Sequence, residues 1–545
     1  MNTATLLLQA ATRQPEQIAV RCGERAVDYA TFADRAARLG QALRSLGLET
    51  GDRVAIVQRN GIELLETVYG SLLAGMAVVP INMRLHPREI AYIANDSGCR
   101  AIVHTPEFNA GLDSVAAGMT DVRVRISTSP SHGEHDYDRL LRTGAPLPGP
   151  VDLYPEAVAW LFYTSGTTGR PKGVIWTHRT VHNLVLSYLA DIYSMQPSDV
   201  VLHAAPLSHG SGTVALSAIA RAAQNVILHS PSFDTAALFE LVERHRVTNI
   251  AFLAPTQIVK MLDDFRPQRY DLSSLRCIVY GGAPMYTDHL RRALETFGPI
   301  FVQIFGQGES PLTISYLSAL EHVRWWQERH ERLSSAGIPR TGIEIRIGGA
   351  DDSAVAVGET GEILCRGEIV MSGYWRNPQA TADTLRGGWL HTGDVGKLDE
   401  RGYLYVLDRS KDMVVSGGNN VYPREVEDVL QTHPAVAECA VIGIPDEYWG
   451  EAVHAIVCLN DGHSVTADEL LEHCVANLAS YKKPRSFEFR DALPKSAYGK
   501  IMKRELREEY WRGHDRRVGG GRAAEIVVDD ESPAAAVAGE RADGG

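Results

Sequence analysis

Short apolar runs alternate with amphipathic stretches from residue 30 to about residue 305, and that alternation limits the chain to few folds. Strands are expected at Val54–Val57, Ala77–Val79, Ala101–Val103, Val200–His203, Val226–Leu228, Ile250–Leu253 and Cys277–Val279. Between them, Thr31 to Leu46 carries Phe32, Ala36, Leu39, Leu43 and Leu46 on one helical face, with Thr31 as N-cap and Gly47 as stop. Asp234–His245 and Tyr286–Phe297 are further helices. Strands alternating with helices are joined by crossovers and pair in parallel, so the fold class is α/β with mainly parallel sheets.

The texture changes between Gly342 and Leu407, where glycine turns at Gly348-Gly349, Gly358, Gly361, Gly387-Gly388 and Gly402 separate short strands. This stretch is expected to form a small β-barrel-like element or a meander. A boundary falls at Asp408-Arg-Ser-Lys-Asp412. Beyond it lies a small α+β unit whose first helix follows Pro423 and buries Val426, Val429 and Leu430. From Gly513 the composition collapses to Gly, Ala, Arg, Asp and Glu without aromatics. Such a segment cannot bury enough apolar surface to order itself. A chain of 545 residues exceeds what one core supports. The expected division is an N-terminal body over 1–407, a hinge at 408–412, a C-terminal domain over 413–512 and a disordered tail over 513–545.

Composition removes several function classes. A net charge of −13 argues against nucleic acid as a partner. Cys22, Cys99, Cys277, Cys365, Cys439, Cys458 and Cys474 are scattered without a CxxC pair, so they read as small buried hydrophobes rather than metal ligands or disulfides. Met1 to Ala11 lacks the basic region and long apolar core of a secretory leader, and no run of about 18 apolar residues could form a transmembrane segment. A reducing, cytoplasmic compartment is expected; peripheral membrane contact and a homodimer stay open.

The chemistry begins at Tyr163-Thr-Ser-Gly-Thr-Thr-Gly-Arg-Pro-Lys-Gly173, which follows an apolar run from Ala157 to Phe162. Gly166, Gly169 and Gly173 let the backbone approach a ligand closely. Backbone N–H groups and the hydroxyls of Thr164, Ser165, Thr167 and Thr168 can surround phosphate oxygens, with Lys172 adding a cation. A Walker loop requires Gly-Lys-[Ser/Thr] opening a helix. Here Arg170-Pro171 intervenes and a strand-like Val174-Ile175-Trp176 follows, so that reading fails. Tyr280-Gly-Gly-Ala-Pro284 ends a strand as a flat ledge for a planar base. Phe305-Gly-Gln-Gly-Glu309 offers an aromatic face, the Gln307 amide and a carboxylate. His391-Thr-Gly-Asp394 presents a carboxylate suited to ribose hydroxyls, Arg409 follows, and Leu493-Pro-Lys-Ser-Ala-Tyr-Gly-Lys-Ile501 is a lysine-bearing loop.

Together these motifs, in this order, resemble the adenylate-forming (ANL) superfamily over residues 5 to 512. The phrase Asp408-Arg-Ser-Lys-Asp-Met-Val-Val-Ser-Gly-Gly-Asn-Asn-Val-Tyr-Pro423 is most similar to bacterial AMP-forming acyl-CoA synthetases such as fatty-acid–CoA ligases. The resemblance implies an N-terminal AMP-binding domain and a mobile C-terminal domain. It implies that Thr164, Ser165, Gly166, Thr167, Thr168, Gly169 and Lys172 hold the β- and γ-phosphates of ATP. Gly281, Gly282 and Ala283 would line adenine, with Phe305, Gly306 and Gln307 beside it. Glu309 and Thr164 would hold Mg²⁺, Asp394 and Arg409 the ribose, and Lys500 would reach the carboxylate and α-phosphate. Lys411 matches the hinge, and Ser416, Gly417 and Gly418 border a CoA channel.

The activity so implied is carboxylate plus ATP to acyl-AMP and pyrophosphate, then acyl-AMP plus CoA to acyl-CoA and AMP. A medium- or long-chain fatty acid is the expected substrate, with an aromatic, cyclic or short-chain acid as the alternative. Loading a carrier protein in trans and non-catalytic nucleotide binding are the competing readings. His209 falls where the family often borders its acyl pocket, and lining the site or packing beside it both stay open. His203 reads as core, Trp176 as packing under the phosphate loop, and Trp325-Trp326 as the anchor of a surface helix. Two residues depart from the family pattern: Gly308, where threonine usually precedes the glutamate, and Asn419, where many relatives are acidic.

Overall fold

The computed structural model describes residues 1–131, 133–164, 171–230, 232–283, 285–328, 331–409, 412–416, 419–446, 449–495 and 501–512. Nine strands form one sheet, in the order Ile338–Pro339, Ser310–Leu317, Phe301–Gln307, Cys277–Gly281, Asn249–Leu253, Val200–His203, Gln224–Ile227, Ile18–Cys22 and Arg25–Asp28. Its interior pairs are parallel and its antiparallel pairs lie at the two ends. A seven-stranded sheet runs His135–Asp136, Val124–Ser127, Ala101–His104, Arg53–Val57, Ala77–Pro80, Val158–Thr164 and Lys172–Thr177. Only its last pair is antiparallel. The expected strands are all present, within a residue or two at each end.

The helix expected from Thr31 spans Tyr29–Ser45, and its N-cap is Asp28, whose carboxylate accepts from the Thr31 N–H at 2.7 Å. It starts earlier because Tyr29 is a core residue whose hydroxyl donates to the Ala223 carbonyl at 2.6 Å. The glycine-rich stretch takes the meander form: Ile343–Gly348, Gly361–Gly367, Leu390–Leu398 and Leu404–Arg409 pair antiparallel in sequence order. The separate C-terminal domain has Asn419–Val421, Val414–Ser416, Gly450–Leu459 and Val436–Asp446 in one sheet, with Ser486–Phe489 parallel to Gly450–Leu459. The helix Pro423–Gln431 packs on it through Val426 and Leu430. In Lys503–Tyr510, the last helix among the described residues, the half-buried Lys503 ammonium lies 2.8 Å from Glu427 and 3.7 Å from Asp408, at the edge of the expected hinge. Lys411 and the tail from Gly513 lie outside the described residues.

Six of the seven cysteines are buried and all are unpaired, as small hydrophobes would be. Among the described residues no helix is long and apolar enough to cross a membrane. Trp325 is buried and does anchor its helix, meeting Tyr403 edge-on and flanked by Arg324 and Arg332.

Three histidines in this core have a measurable consequence. His178, His203 and His322 are each 0% exposed. The His203 Nε2–H donates to Asn225 Oδ1 and its Nδ1 accepts from the Ser211 hydroxyl, both at 2.9 Å. His322 Nδ1–H donates to the Ser318 carbonyl and its Nε2 accepts from Tyr280. Each ring thus has a partner at both nitrogens as a neutral tautomer. Burial holds all three imidazoles down to about 4. In the unfolded chain they titrate near about 6.5, so between the two values the unfolded state binds more protons. Stability is therefore full above about pH 6.5 and falls as pH drops toward 4, by on the order of 3 kcal/mol per ring. Thermal unfolding from pH 8 to 4 should show a flat midpoint followed by a steep drop, and His322→Gln should shallow that drop. A midpoint independent of pH below 6.5 would contradict this account.

Candidate active site

The two strands that flank the expected phosphate loop pair antiparallel, with Thr164 opposite Lys172. Ser165, Gly166, Thr167, Thr168 and Gly169 lie outside the described residues. Strand alternation puts Trp160, Phe162 and Thr164 on one face, while Leu161 and Tyr163 join a different apolar cluster on the other. Across the hairpin Trp176 stacks on Phe162, ring centres 4.9 Å apart at 11°, and lies 5.6 Å from Trp160. His209 meets Phe162 edge-on at 5.2 Å, and burial pulls its imidazole down to about 4. His209 is therefore neutral at physiological pH and borders this aromatic face.

The segment after Phe305 lies against the same hairpin. The Trp176 indole N–H donates to the Gly308 carbonyl at 2.8 Å. A Cβ at Gly308 would stand 2.6 Å from Thr164 Cγ2 and 2.9 Å from Phe162 Cδ1. A side chain at this position would press on both the Thr164 methyl and the Phe162 ring, and glycine leaves them their space. Next to it, Glu309 Oε1 accepts from the Tyr374 hydroxyl at 2.7 Å, and the Lys172 ammonium sits 5.1 Å from the centre of the Tyr374 ring. Burial and the Glu309 carboxylate both push the Tyr374 phenol up, so it stays a donor. Backbone bonds from Trp375 to Gly173 and from Ile175 to Gly373 strap this segment along the hairpin. Tyr374 thereby ties the lysine to the glutamate.

Behind the glutamate, Cys277–Gly281 runs parallel to Phe301–Gln307, with Gly281 beside Ile304. A Cβ on Gly281 would approach the Ile304 carbonyl to 2.3 Å, and Gly282 has φ +76°, so both positions of the ledge need glycine. Phe305 is half-buried and pairs with Ser315. Asp394 is buried in Leu390–Leu398, and its backbone register sets it opposite Arg409. In the C-terminal domain Lys495 bridges to Ile501, bracketing 496–500, and its ammonium lies 2.5 Å from the Glu438 carboxylate. Lys500, Gly417 and Gly418 lie outside the described residues, as does Pro284. Ser416 is buried at the end of its strand, beside a groove of about 300 Å³ lined by Trp449, Ser480, Tyr481, Lys483 and Arg485. The Arg485 guanidinium stacks on Trp449 at 4.0 Å.

Residues 7–375 match the AMP-binding enzyme family, and residues 425–500 match the AMP-binding enzyme C-terminal domain. The chain belongs to the AMP-binding enzymes. It is an acid–thiol ligase of the adenylate-forming superfamily, as its motifs led one to expect. A feruloyl-CoA synthase of an Amycolatopsis species is 40% identical over 502 residues, 92% of this chain and 97% of that one. A medium/long-chain-fatty-acid–CoA ligase of Mycobacterium tuberculosis is 33% identical over 94% of this chain and 91% of its own. Among solved structures, an anthranilate CoA ligase in complex with anthranoyl-AMP superposes with a TM-score of 0.86 at 26% identity, covering 94% of this chain and 97% of that one.

Within this ligase the sequence motifs are brought together around one hairpin: Thr164, Lys172, Glu309 and the Gly308 turn are mutual neighbours or linked through Tyr374. Two contributors escaped the sequence reading. Tyr374 lies in an irregular segment with no periodicity, and Phe162 looked like one more apolar residue of a buried strand. The one available signal was Gly308 itself, since a missing side chain where the family pattern has threonine asks what occupies its volume.

Proposed function

We propose that this ligase activates an aromatic carboxylic acid as its adenylate and transfers it to CoA. The observation that carries this reading is the aromatic face built from Phe162 on Trp176, with His209 edge-on, next to Thr164. Planar rings pack against such a face in offset or edge-on geometry, with gains of about 0.5–1.5 kcal/mol beyond area burial. The 40% identity to a feruloyl-CoA synthase and the likeness to an anthranilate ligase point the same way. The fatty-acid expectation draws support from a relative at 33% and is the second reading.

In this proposal the loop after Thr164 and Lys172 hold the β- and γ-phosphates, the Gly281-Gly282-Ala283 ledge takes adenine with Phe305, Gly306 and Gln307, and Asp394 with Arg409 takes the ribose. Glu309 and Thr164 suit Mg²⁺: a carboxylate and a hydroxyl are hard oxygen donors, and among the described residues only Tyr374 hydrogen-bonds the Glu309 carboxylate. Bound there, Mg²⁺ offsets charge on phosphate oxygens. The chain's own cations do the rest. Lys172 would hold the departing pyrophosphate, and Lys500 would come between the carboxylate and the α-phosphate, two anions that otherwise repel. A turn of the C-terminal domain about Lys411 then replaces Lys500 with the Ser416–Gly418 segment and admits the CoA thiol, which attacks the acyl carbonyl and expels AMP.

The groove beside Ser416 fits the nucleotide end of CoA: Lys483 and Arg485 meet its phosphates, and Tyr481 or Trp449 its adenine. Arg485→Ala is expected to raise the CoA KM about 10-fold while acyl-AMP formation is unchanged, since one charge-assisted contact is worth about 1.5–3 kcal/mol. Coupled assays of the two steps measure this, and a matched fall in both would refute it. The substrate class is tested by pyrophosphate release and thioester formation with cinnamate, ferulate, benzoate, phenylacetate, octanoate and palmitate. Highest kcat/KM for an aryl acid is expected; highest for palmitate would overturn the aromatic reading.

A further inference from the structure

We infer that Phe162 and Gly308 are a specificity-determining pair, in which position 308 gives up its side chain so that the Phe162 ring can form the wall of the acyl site at its carboxylate end. The inference rests on the aromatic-acid reading above and extends it to two residues. Three contacts fix the arrangement. The ring is stacked face-on against Trp176 at 11° and 4.9 Å, so it cannot swing aside without losing that contact. The Gly308 backbone is held by the Trp176 indole N–H at 2.8 Å, so it cannot withdraw from the ring. His209 closes the other side of the ring edge-on at 5.2 Å. Any Cβ at 308 would stand 2.9 Å from Phe162 Cδ1 and 2.6 Å from Thr164 Cγ2, both closer than van der Waals contact. The Thr164 methyl is the nearer of the two and stays in every variant of the pair, so the part of the clash that belongs to the stacked ring is the part that changing Phe162 relieves.

The volume is thus assigned to position 162 instead of 308, and the two residues are coupled through a single contact surface. Thr164 and Glu309 flank the pair, so the ring borders the place where the acid's carboxylate must meet the α-phosphate. A flat wall there favours acids whose first atoms beyond the carboxylate are planar and conjugated. A flexible sp³ chain gains less from it. Phe162 therefore acts as a selector on the acid, not as a catalytic residue.

The experiment is a double-mutant cycle with Gly308→Ala, Phe162→Leu and both together, assayed by pyrophosphate release with cinnamate and with octanoate, alongside the ATP KM and the thermal midpoint. Gly308→Ala alone is expected to lower kcat/KM for cinnamate by about 30-fold, because the overpacked ring must shift. In the Phe162→Leu background the same change should cost less than about 3-fold, a coupling that neighbours in contact show and distant residues do not. Phe162→Leu alone should lower the cinnamate-to-octanoate ratio by about 10-fold, through the lost aromatic contact, and leave the ATP KM unmoved. Should Gly308→Ala fail to fold, the Phe162→Leu ratio decides by itself. Additive effects in the cycle, or an unchanged ratio in Phe162→Leu, would overturn the inference. A wild-type preference for octanoate would instead sink the aromatic-acid reading, and the coupling would still be read on octanoate.

Discussion

Lys500→Ala is expected to lower acyl-AMP formation by about 10²- to 10³-fold while thioester formation from supplied acyl-AMP keeps most of its rate. The asymmetry follows from charge. Adenylation brings a carboxylate to an α-phosphate and concentrates negative charge between them, so a cation at that point stabilises the transition state more than the ground state. The thioester step has no such build-up of like charge and is proposed to run with the C-terminal domain turned away. The other motif lysines are poor substitutes. Lys495 is engaged with Glu438 at 2.5 Å, and Lys172 is held over the Tyr374 ring at 5.1 Å. Lys500→Arg restores the charge on a longer, planar group, so partial recovery is expected. Pyrophosphate release and thioester formation from synthetic adenylate separate the steps, and an equal loss in both would remove Lys500 from this role.

Much of this ligase was legible from its chain because its signals are local. The parallel sheets follow from apolar runs such as Val54–Val57 and Cys277–Val279, each short, continuous and bounded by helical stretches. The Gly281-Gly282 ledge was readable from its paired glycines at the end of an apolar run, and the fold supplies the reasons, the Ile304 carbonyl beside Gly281 and φ +76° at Gly282. What was hidden is non-local. Ile18–Cys22 is an ordinary strand by composition, yet its partner is Gln224–Ile227, some two hundred residues away in sequence, and no local pattern names that partner. Tyr374 reaches Glu309 from an irregular segment whose route is set by backbone bonds to the hairpin. Gly308 was visible as a departure from pattern, but its reason is a ring at position 162, seen only when both strands are in place. Thr31 was misread as a cap because the burial of Tyr29, which pulls the helix start back to Asp28, is also a tertiary fact.

Glu309→Gln should cost acyl-AMP formation about 10²- to 10³-fold, and Tyr374→Phe about 10-fold, with different responses to Mg²⁺. The glutamine keeps the size of the side chain and an oxygen to accept from the Tyr374 hydroxyl, now 2.7 Å from Glu309 Oε1. It removes the negative charge, and with it most of the attraction for a divalent cation, which prefers carboxylate oxygen. Added Mg²⁺ should therefore recover little of the rate. Tyr374→Phe leaves the charge in place and removes only the hydroxyl that orients it, so the carboxylate is free to turn. Outer partners of this kind typically contribute about 10- to 100-fold in metal affinity or activity, and here the loss should appear as a raised Mg²⁺ requirement that saturating Mg²⁺ largely corrects. The stacking of Lys172 over the ring survives in phenylalanine, which isolates the hydroxyl from the cation contact. Mg²⁺ titrations of pyrophosphate release at fixed ATP, with thermal midpoints as controls, measure both. A full-rate Glu309→Gln enzyme would remove the carboxylate from the proposed Mg²⁺ role. A Tyr374→Phe loss that no Mg²⁺ concentration relieves would make Tyr374 a packing residue, and the strap between Lys172 and Glu309 would have no part in positioning the acid.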